Sequence, residues 1–199
     1  MNKNMRVLAI VPFLAAALAS PVHGGMILSA GGNGYVSSAG LMLGGGVGLE
    51  FLISLSGKRA SEGLVLGLGL EYVSLTTTLP NTPAGGWILP FALKYGFLVG
   101  GQLDLGLGGG VALATYDVNV PSYPSGYYVT SELAVAPFAE ASLRLLSSPE
   151  VNYQIALRGG EFFSQGGSYP FFGIRLDVGY YFNLPEQSGQ SDGSDESDY

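Results

Sequence analysis

Few residues in this chain could carry chemistry. Only 12% of its 199 residues are charged, against about 25% in an ordinary globular protein. There is no cysteine, and the single histidine is His23. That excludes the common Cys–His and Ser–His hydrolytic arrangements and most transition-metal sites. What remains is a scatter of single charges in apolar sequence: Glu50, Glu71, Lys94, Asp104, Glu132, Glu140, Arg144, Arg158, Arg175 and Asp177. A carboxylate pair such as Glu50 with Glu71 has the groups for acid–base work. Opposite charges held close together have a different use. They can pair, and they can fill a space that must be polar.

The runs that hold these charges repeat with period two. In Phe171–Leu184 the even positions are Phe172, Ile174, Leu176, Val178, Tyr180, Phe182 and Leu184, all apolar or aromatic. The odd positions include Gly173, Arg175, Asp177, Gly179 and Asn183. A strand points successive side chains to opposite faces, so one face is greasy and the other carries the charges. Similar alternation runs through Leu41–Leu55, Leu64–Val73, Trp87–Phe97, Leu103–Leu113, Val129–Leu145 and Val151–Arg158. Met26–Val36 alternates more weakly, around a glycine cluster, and makes the eighth strand. Once the greasy face of each strand is fixed from its apolar residues, all ten charges fall on the opposite face. Glu161, near the end of its strand, is the exception, and suits a rim position or a bulge.

The polar face is not a water-facing surface. A soluble sandwich would crowd it with Lys, Glu, Thr and Ser. Here it is about half glycine and alanine, with about one charge per strand. Small residues make room for large ones in a narrow interior. Gly44, Gly46, Gly48, Gly67, Gly69, Gly106, Gly108 and Gly110 face Phe138, Arg144, Arg158, Phe162, Phe171, Arg175 and Tyr181 around such a ring. The expected fold is therefore all-β: an eight-stranded antiparallel up-and-down transmembrane β-barrel, greasy outside and polar within. Outward Tyr95, Phe97, Tyr153, Tyr180 and Phe182 at one end, and Trp87, Tyr72, Tyr127 and Phe172 at the other, fit two interfacial girdles. Long and short connections alternate, with Pro80–Gly86, Val118–Gly126 and Ser164–Tyr169 as outer loops.

The expected lumen network is Glu50, Glu71, Lys94, Asp104, Glu140, Arg144, Arg158, Arg175 and Asp177, with Lys94, Asp104 and Arg144 as a lower group. Neighbouring strands suggest the pairs Lys94–Asp104, Glu140–Arg158 and Arg158–Asp177. The network would plug the barrel, and a carboxylate enclosed in it has no access to substrate, so no enzyme is expected. No cofactor and no metal site are expected. Nucleic acid is not an expected partner, because the few bases form no patch.

Residues 1–24 read as a cleaved signal peptide. Lys3 and Arg6 precede the apolar run Val7–Ala19, which is too short to span a bilayer. Residues 25–184 are the barrel. Residues 185–199 carry Glu186, Asp192, Asp195, Glu196 and Asp198, and read as an acidic, disordered periplasmic tail.

The chain resembles the small eight-stranded outer-membrane barrels of the OmpA, OmpX and OmpW type. The most specific element is Asp177-Val178-Gly179-Tyr180-Tyr181-Phe182-Asn183-Leu184. It is similar to the assembly signal on the last strand of such proteins. The resemblance implies that Asp177, Gly179, Phe182 and Leu184 are read by the barrel-assembly machinery. It departs from the family in adding fifteen residues after the last strand. The resemblance implies the bacterial outer membrane as location and its lipid as a partner. The implied function is non-catalytic, with a plugged lumen and surface loops for structural, contact or adhesion roles. The loop Val118–Tyr127, rich in Tyr and Ser, offers a surface for an extracellular ligand. The alternative is a narrow OmpW-like channel for small apolar solutes.

Overall fold

The computed structural model describes residues 25–38, 40–54, 62–75, 83–99, 103–121, 127–148, 150–164 and 167–182. Residues 1–24 and 183–199, Leu184 among them, and most of the connections lie outside the described residues. Eight strands make up the fold: β1 Met26–Ser37, β2 Gly40–Ser54, β3 Gly63–Leu75, β4 Pro83–Val99, β5 Leu103–Pro121, β6 Tyr127–Leu146, β7 Val151–Ser164 and β8 Gly167–Phe182. Each pairs antiparallel with the next, and β1 pairs with β8 from Met26↔Phe182 to Ser37↔Phe171, closing a barrel.

Closure follows from the period-two pattern. A one-residue slip would exchange the two faces of a strand, so the apolar face fixes the register. On β8, Phe172, Ile174, Leu176, Val178, Tyr180 and Phe182 point outward and are exposed, while Phe171, Gly173, Asp177 and Tyr181 are buried. The other strands behave alike: Leu43, Val47, Leu70, Leu93, Leu107, Val111, Leu143, Ile155 and Leu157 are all exposed. Aromatics collect at both ends of this outward face. Tyr72 packs edge-on to Trp87 at 5.1 Å, and Tyr180 to Phe182 at 4.9 Å.

The inward glycines let a small barrel curl. A Cβ at Gly44 would collide with the Tyr72 carbonyl on β3, and one at Gly110 with the Phe91 carbonyl on β4. No other residue type fits at such a close approach of two backbones. Gly40 and Gly167, with φ of 129° and 134°, open β2 and β8 directly after tight reversals.

Two expectations change. The strands run further than the alternation suggests. Pro83–Gly86 belongs to β4, Val118–Pro121 to β5 and Gly167–Tyr169 to β8. At the end away from the termini the connections shrink to residues 38–39, 76–82, 122–126 and 165–166, so the expected contrast of long loops and short turns largely disappears. The reason is that polar hairpin stems still pair as strands. Asp117 sits opposite Ser131, whose Oγ donates to Asp117 Oδ1 at 2.7 Å. Glu161 does lie on the outward face, and its register with Pro170 is unbroken, so it occupies a rim position and not a bulge.

Candidate functional site: a chain of ion pairs across the lumen

Inward positions from seven of the eight strands meet on the barrel axis. The nine network residues join end to end with alternating sign: Asp104, Arg144, Glu50, Lys94, Glu140, Arg158, Glu71, Arg175, Asp177. Arg144 Nη1 reaches Asp104 at 3.0 Å, and its Nη2 pairs with Glu50. Lys94 Nζ bridges Glu50 at 2.6 Å and Glu140 at 2.9 Å. Arg158 Nη2 binds Glu140 at 2.7 Å, and Nη1 binds Glu71 at 3.0 Å. Arg175 completes the run, with Nη1 3.1 Å from Glu71 and Nε 2.8 Å from Asp177.

Neutral side chains brace this chain. Glu71, with 0% exposure, also accepts from Asn33 Nδ2 at 2.8 Å and from the Tyr35 hydroxyl. Tyr35 in turn accepts from Arg158 Nη1 at 3.1 Å. Gln154 Oε1 accepts from Arg144 Nε at 3.2 Å and Nη2 at 2.8 Å. The Arg158 guanidinium lies 4.5 Å from the Phe138 ring centre, a cation–π contact that suits a desolvated arginine. Buried charges are tolerated only when paired and hydrogen-bonded, and these are both.

Apolar layers lie on either side of the charges. Toward the termini, Ile27, Leu52, Val65 and Tyr181 form a buried cluster. Toward the opposite end, Tyr35, Met42, Val73, Ile88, Phe138, Phe162 and Phe171 belong to a larger one, with Phe162 and Phe171 rings 4.6 Å apart. Within the charged layer, Ser29, Glu50, Lys94, Arg158, Arg175 and Asp177 help line a cavity of about 30 Å³, room for roughly two waters.

Register explains which expected pairs form. Glu140 and Arg158 are directly opposite on β6 and β7 and do pair. Lys94 is opposite Gly108, four residues along β5 from Asp104. Asp104 is opposite Arg144 and pairs with it, so the expected Lys94–Asp104 pair gives way to Lys94 with Glu50 and Glu140. Arg158 is opposite Gly173, and Asp177 is opposite Gln154. The expected Arg158–Asp177 pair therefore gives way to Arg158–Glu71 across the lumen, and Asp177 takes Arg175 two residues away. Lys94, Asp104 and Arg144 are not a separate lower group, because Glu50 ties them to the rest. Glu132 stands apart near the far end, accepting from Tyr116 Oη at 3.3 Å.

Of the assembly-signal positions, Asp177 and Gly179 point inward and Phe182 outward. The partners Tyr35, Asn33 and Gln154 escape a reading for charge alone. Their signal is in the sequence nonetheless: each lies on the inward parity of its strand.

No family model and no curated protein sequence matches the chain. Solved structures do match. Neisserial surface protein A is 11% identical, covering 79% of this chain and 94% of its own, with a TM-score of 0.55. The N-terminal β-barrel domain of Pseudomonas aeruginosa OprF is 16% identical, covering 80% and 98%, with a TM-score of 0.55. The fold is that of the small eight-stranded outer-membrane barrels. Ail of Yersinia pestis, in complex with the heparin analogue sucrose octasulfate, matches at 12% identity and a TM-score of 0.50, covering 80% and 99%. Identities this low carry the fold of these barrels to the present chain and nothing of their ligands.

Proposed function

We propose that the chain is a non-catalytic integral protein of a bacterial outer membrane, exported by a cleaved signal peptide. Its lumen is sealed by the ion-pair chain, and its far end forms a contact surface outside the cell. The observation that carries this reading is the division of faces. The outward side is a continuous apolar belt, and the nine paired charges lie inside. Such a belt in water would expose far more contiguous apolar area than a soluble monomer bears. In a bilayer it is the required surface. Asp177, Gly179, Phe182 and Leu184 then serve as the signal for barrel assembly. Glu50 and Glu71, each engaged by bases, have no free geometry for acid–base catalysis.

The test is extraction. The protein should fractionate with outer membranes, need detergent for release, and migrate differently on gels before and after heating. A soluble, detergent-independent monomer would contradict the reading.

The contact surface differs in charge from one that would take a sulfated ligand such as that bound by Ail. From residue 25 onward the bases are Lys58, Arg59, Lys94, Arg144, Arg158 and Arg175. Four of these belong to the lumen chain, and Lys58 and Arg59 fall in the connection after β2, at the end of the termini. The far end carries Asp117, Glu132 and Glu161. It suits a neutral or cationic partner.

A second reading, the narrow channel for small apolar solutes, has one observation in its favour. Met42, Val73, Ile88, Ala114, Tyr116 and Phe162 line an apolar cavity of about 30 Å³ at the far end. The charged layer beneath it blocks onward passage.

A further inference from the structure

Beyond the ion-pair chain the inward face turns apolar. Met42, Val73, Ile88, Ala114 and Phe162 wall a cavity of about 30 Å³ there, and the rings of Tyr116 and Tyr169 complete it. Phe162 packs on Phe171, Phe171 meets the Tyr35 ring at 5.7 Å, and the Tyr35 hydroxyl bonds Glu71. The cavity thus rests on the charged layer. One carboxylate stands on its other side. Ala114 is opposite Ala134, and two residues further along the same face Tyr116 is opposite Glu132. At ~3.3 Å per residue, Glu132 is carried roughly 7 Å past the alanine wall. The Tyr116 hydroxyl donates to Glu132 Oε2 at 3.3 Å, so one side chain touches both the cavity and the carboxylate.

No base answers this carboxylate. Every lysine and arginine among the described residues belongs to the lumen chain. The connections 76–82, 122–126 and 165–166 contain no charged residue of either sign. Asp117 and Glu161 have the outward parity of their strands, so among the described residues Glu132 is the one charge facing inward at this end. A half-buried carboxylate without a base gains from a cation that reaches it. The apolar cavity beside it selects a cation that carries carbon, and the tyrosine rings suit an ammonium group. We infer that this half of the lumen binds a short-chain organic ammonium ion, with its alkyl end in the cavity and its charge on Glu132. Size sets the limit. An engineered cavity that takes benzene is about 150 Å³, so this one accepts the end of a straight chain and not a ring. A neutral solute of the same shape leaves Glu132 without a counter-charge, and an alkyl carboxylate meets it with like charge. The site holds its ligand and does not pass it onward, which rests on the reading of the charged layer as closed.

The test titrates the full-length protein, methyl-labelled at Met and Ile and folded in detergent micelles, with n-butylamine, n-butanol and butyrate at neutral pH. The Met42 and Ile88 methyl resonances report occupancy of the cavity by NMR. The expected result is a saturable shift of both methyls by n-butylamine. Its affinity should exceed that of n-butanol by about tenfold or more, as a hydrogen bond to a charged group supplies, and butyrate should bind least. From ethylamine to butylamine the affinity should rise about fourfold for each methylene buried. Glu132→Gln, with heat-shifted migration as its folding control, should bring n-butylamine to the level of n-butanol and leave n-butanol unchanged. Equal binding of amine and alcohol by the wild type overturns the inference and favours a site for neutral apolar solutes. Unchanged amine binding by Glu132→Gln, or amine binding that leaves the Met42 and Ile88 methyls unmoved, overturns it as well. Conductance of the same preparation reports separately on the charged layer, so a leaking lumen is not mistaken for a failed site.

Discussion

Arg158 on β7 reaches across the lumen to Glu71 on β3, with Nη1 3.0 Å from Oε1, while its Nη2 holds Glu140 on the adjacent strand at 2.7 Å. One guanidinium thereby joins opposite walls of the barrel. The fork geometry of arginine allows this, presenting Nη1 to Glu71 and Tyr35 and Nε with Nη2 to Glu140. The barrel interior is thus cross-braced.

Removing that brace should be expensive. Arg158→Ala leaves Glu71 with Arg175 alone and Glu140 with Lys94 alone among its bases. The expected loss is about 3–5 kcal/mol, the range for breaking a buried pair by deleting one partner. Arg158→Lys should recover part of it. Urea unfolding in liposomes measures both. A loss for Arg158→Ala no larger than for Ser168→Ala, at the rim, would contradict a network role.

Added salt should matter little to this network. Its members are buried, and screening acts mainly on exposed charges separated by more than a Debye length, about 10 Å at 0.1 M. The stability difference between wild type and Arg158→Ala should therefore hold when sodium chloride is raised to about 1 M, where the Debye length is near 3 Å. A difference that collapses with salt would mean that the pairs are solvated.

Glycine positions should divide sharply. A Cβ at Gly44 meets the Tyr72 backbone, whereas one at Gly32 comes no nearer than 3.8 Å to any atom beyond its chain neighbours. Gly44→Ala should destabilise by about 1–3 kcal/mol, as overpacking does. Gly32→Ala, on the outward face, should be nearly neutral. The same unfolding assay checks the pair, and equal effects would argue against close strand approach at Gly44.

The outward belt predicts a depth dependence. Leu176 is 53% exposed in the middle of the β8 apolar face. Leu176→Arg should cost about 2–4 kcal/mol in a bilayer, and Ser168→Arg about 0–1 kcal/mol. Both are read from folding free energies in liposomes. A Leu176→Arg protein as stable as wild type would put that face in water.

Much of this is legible in the sequence because a strand has only two faces. Phe172, Ile174 and Leu176 declare one face of β8, and Arg175 and Asp177 the other. All nine network residues can be named in this way. Their partners cannot, since Arg158–Glu71 crosses the lumen and depends on tilt and shear, which leave no mark on a single strand. Leu52, Val65, Met42, Val73 and Ile88 look like flaws in the polar face. They belong to the apolar layers at the two ends of the lumen, and their position near strand ends is the available clue. The strands containing Trp87 and Phe171 read short in sequence because proline, glycine and serine stems resemble loops.

Single-channel recording of the folded protein in a planar bilayer tests most directly whether the ion-pair chain closes the barrel. A closed lumen gives no conductance steps from protein whose heat-shifted migration shows it to be folded. Sustained steps from that same material would contradict a sealed lumen and favour the channel.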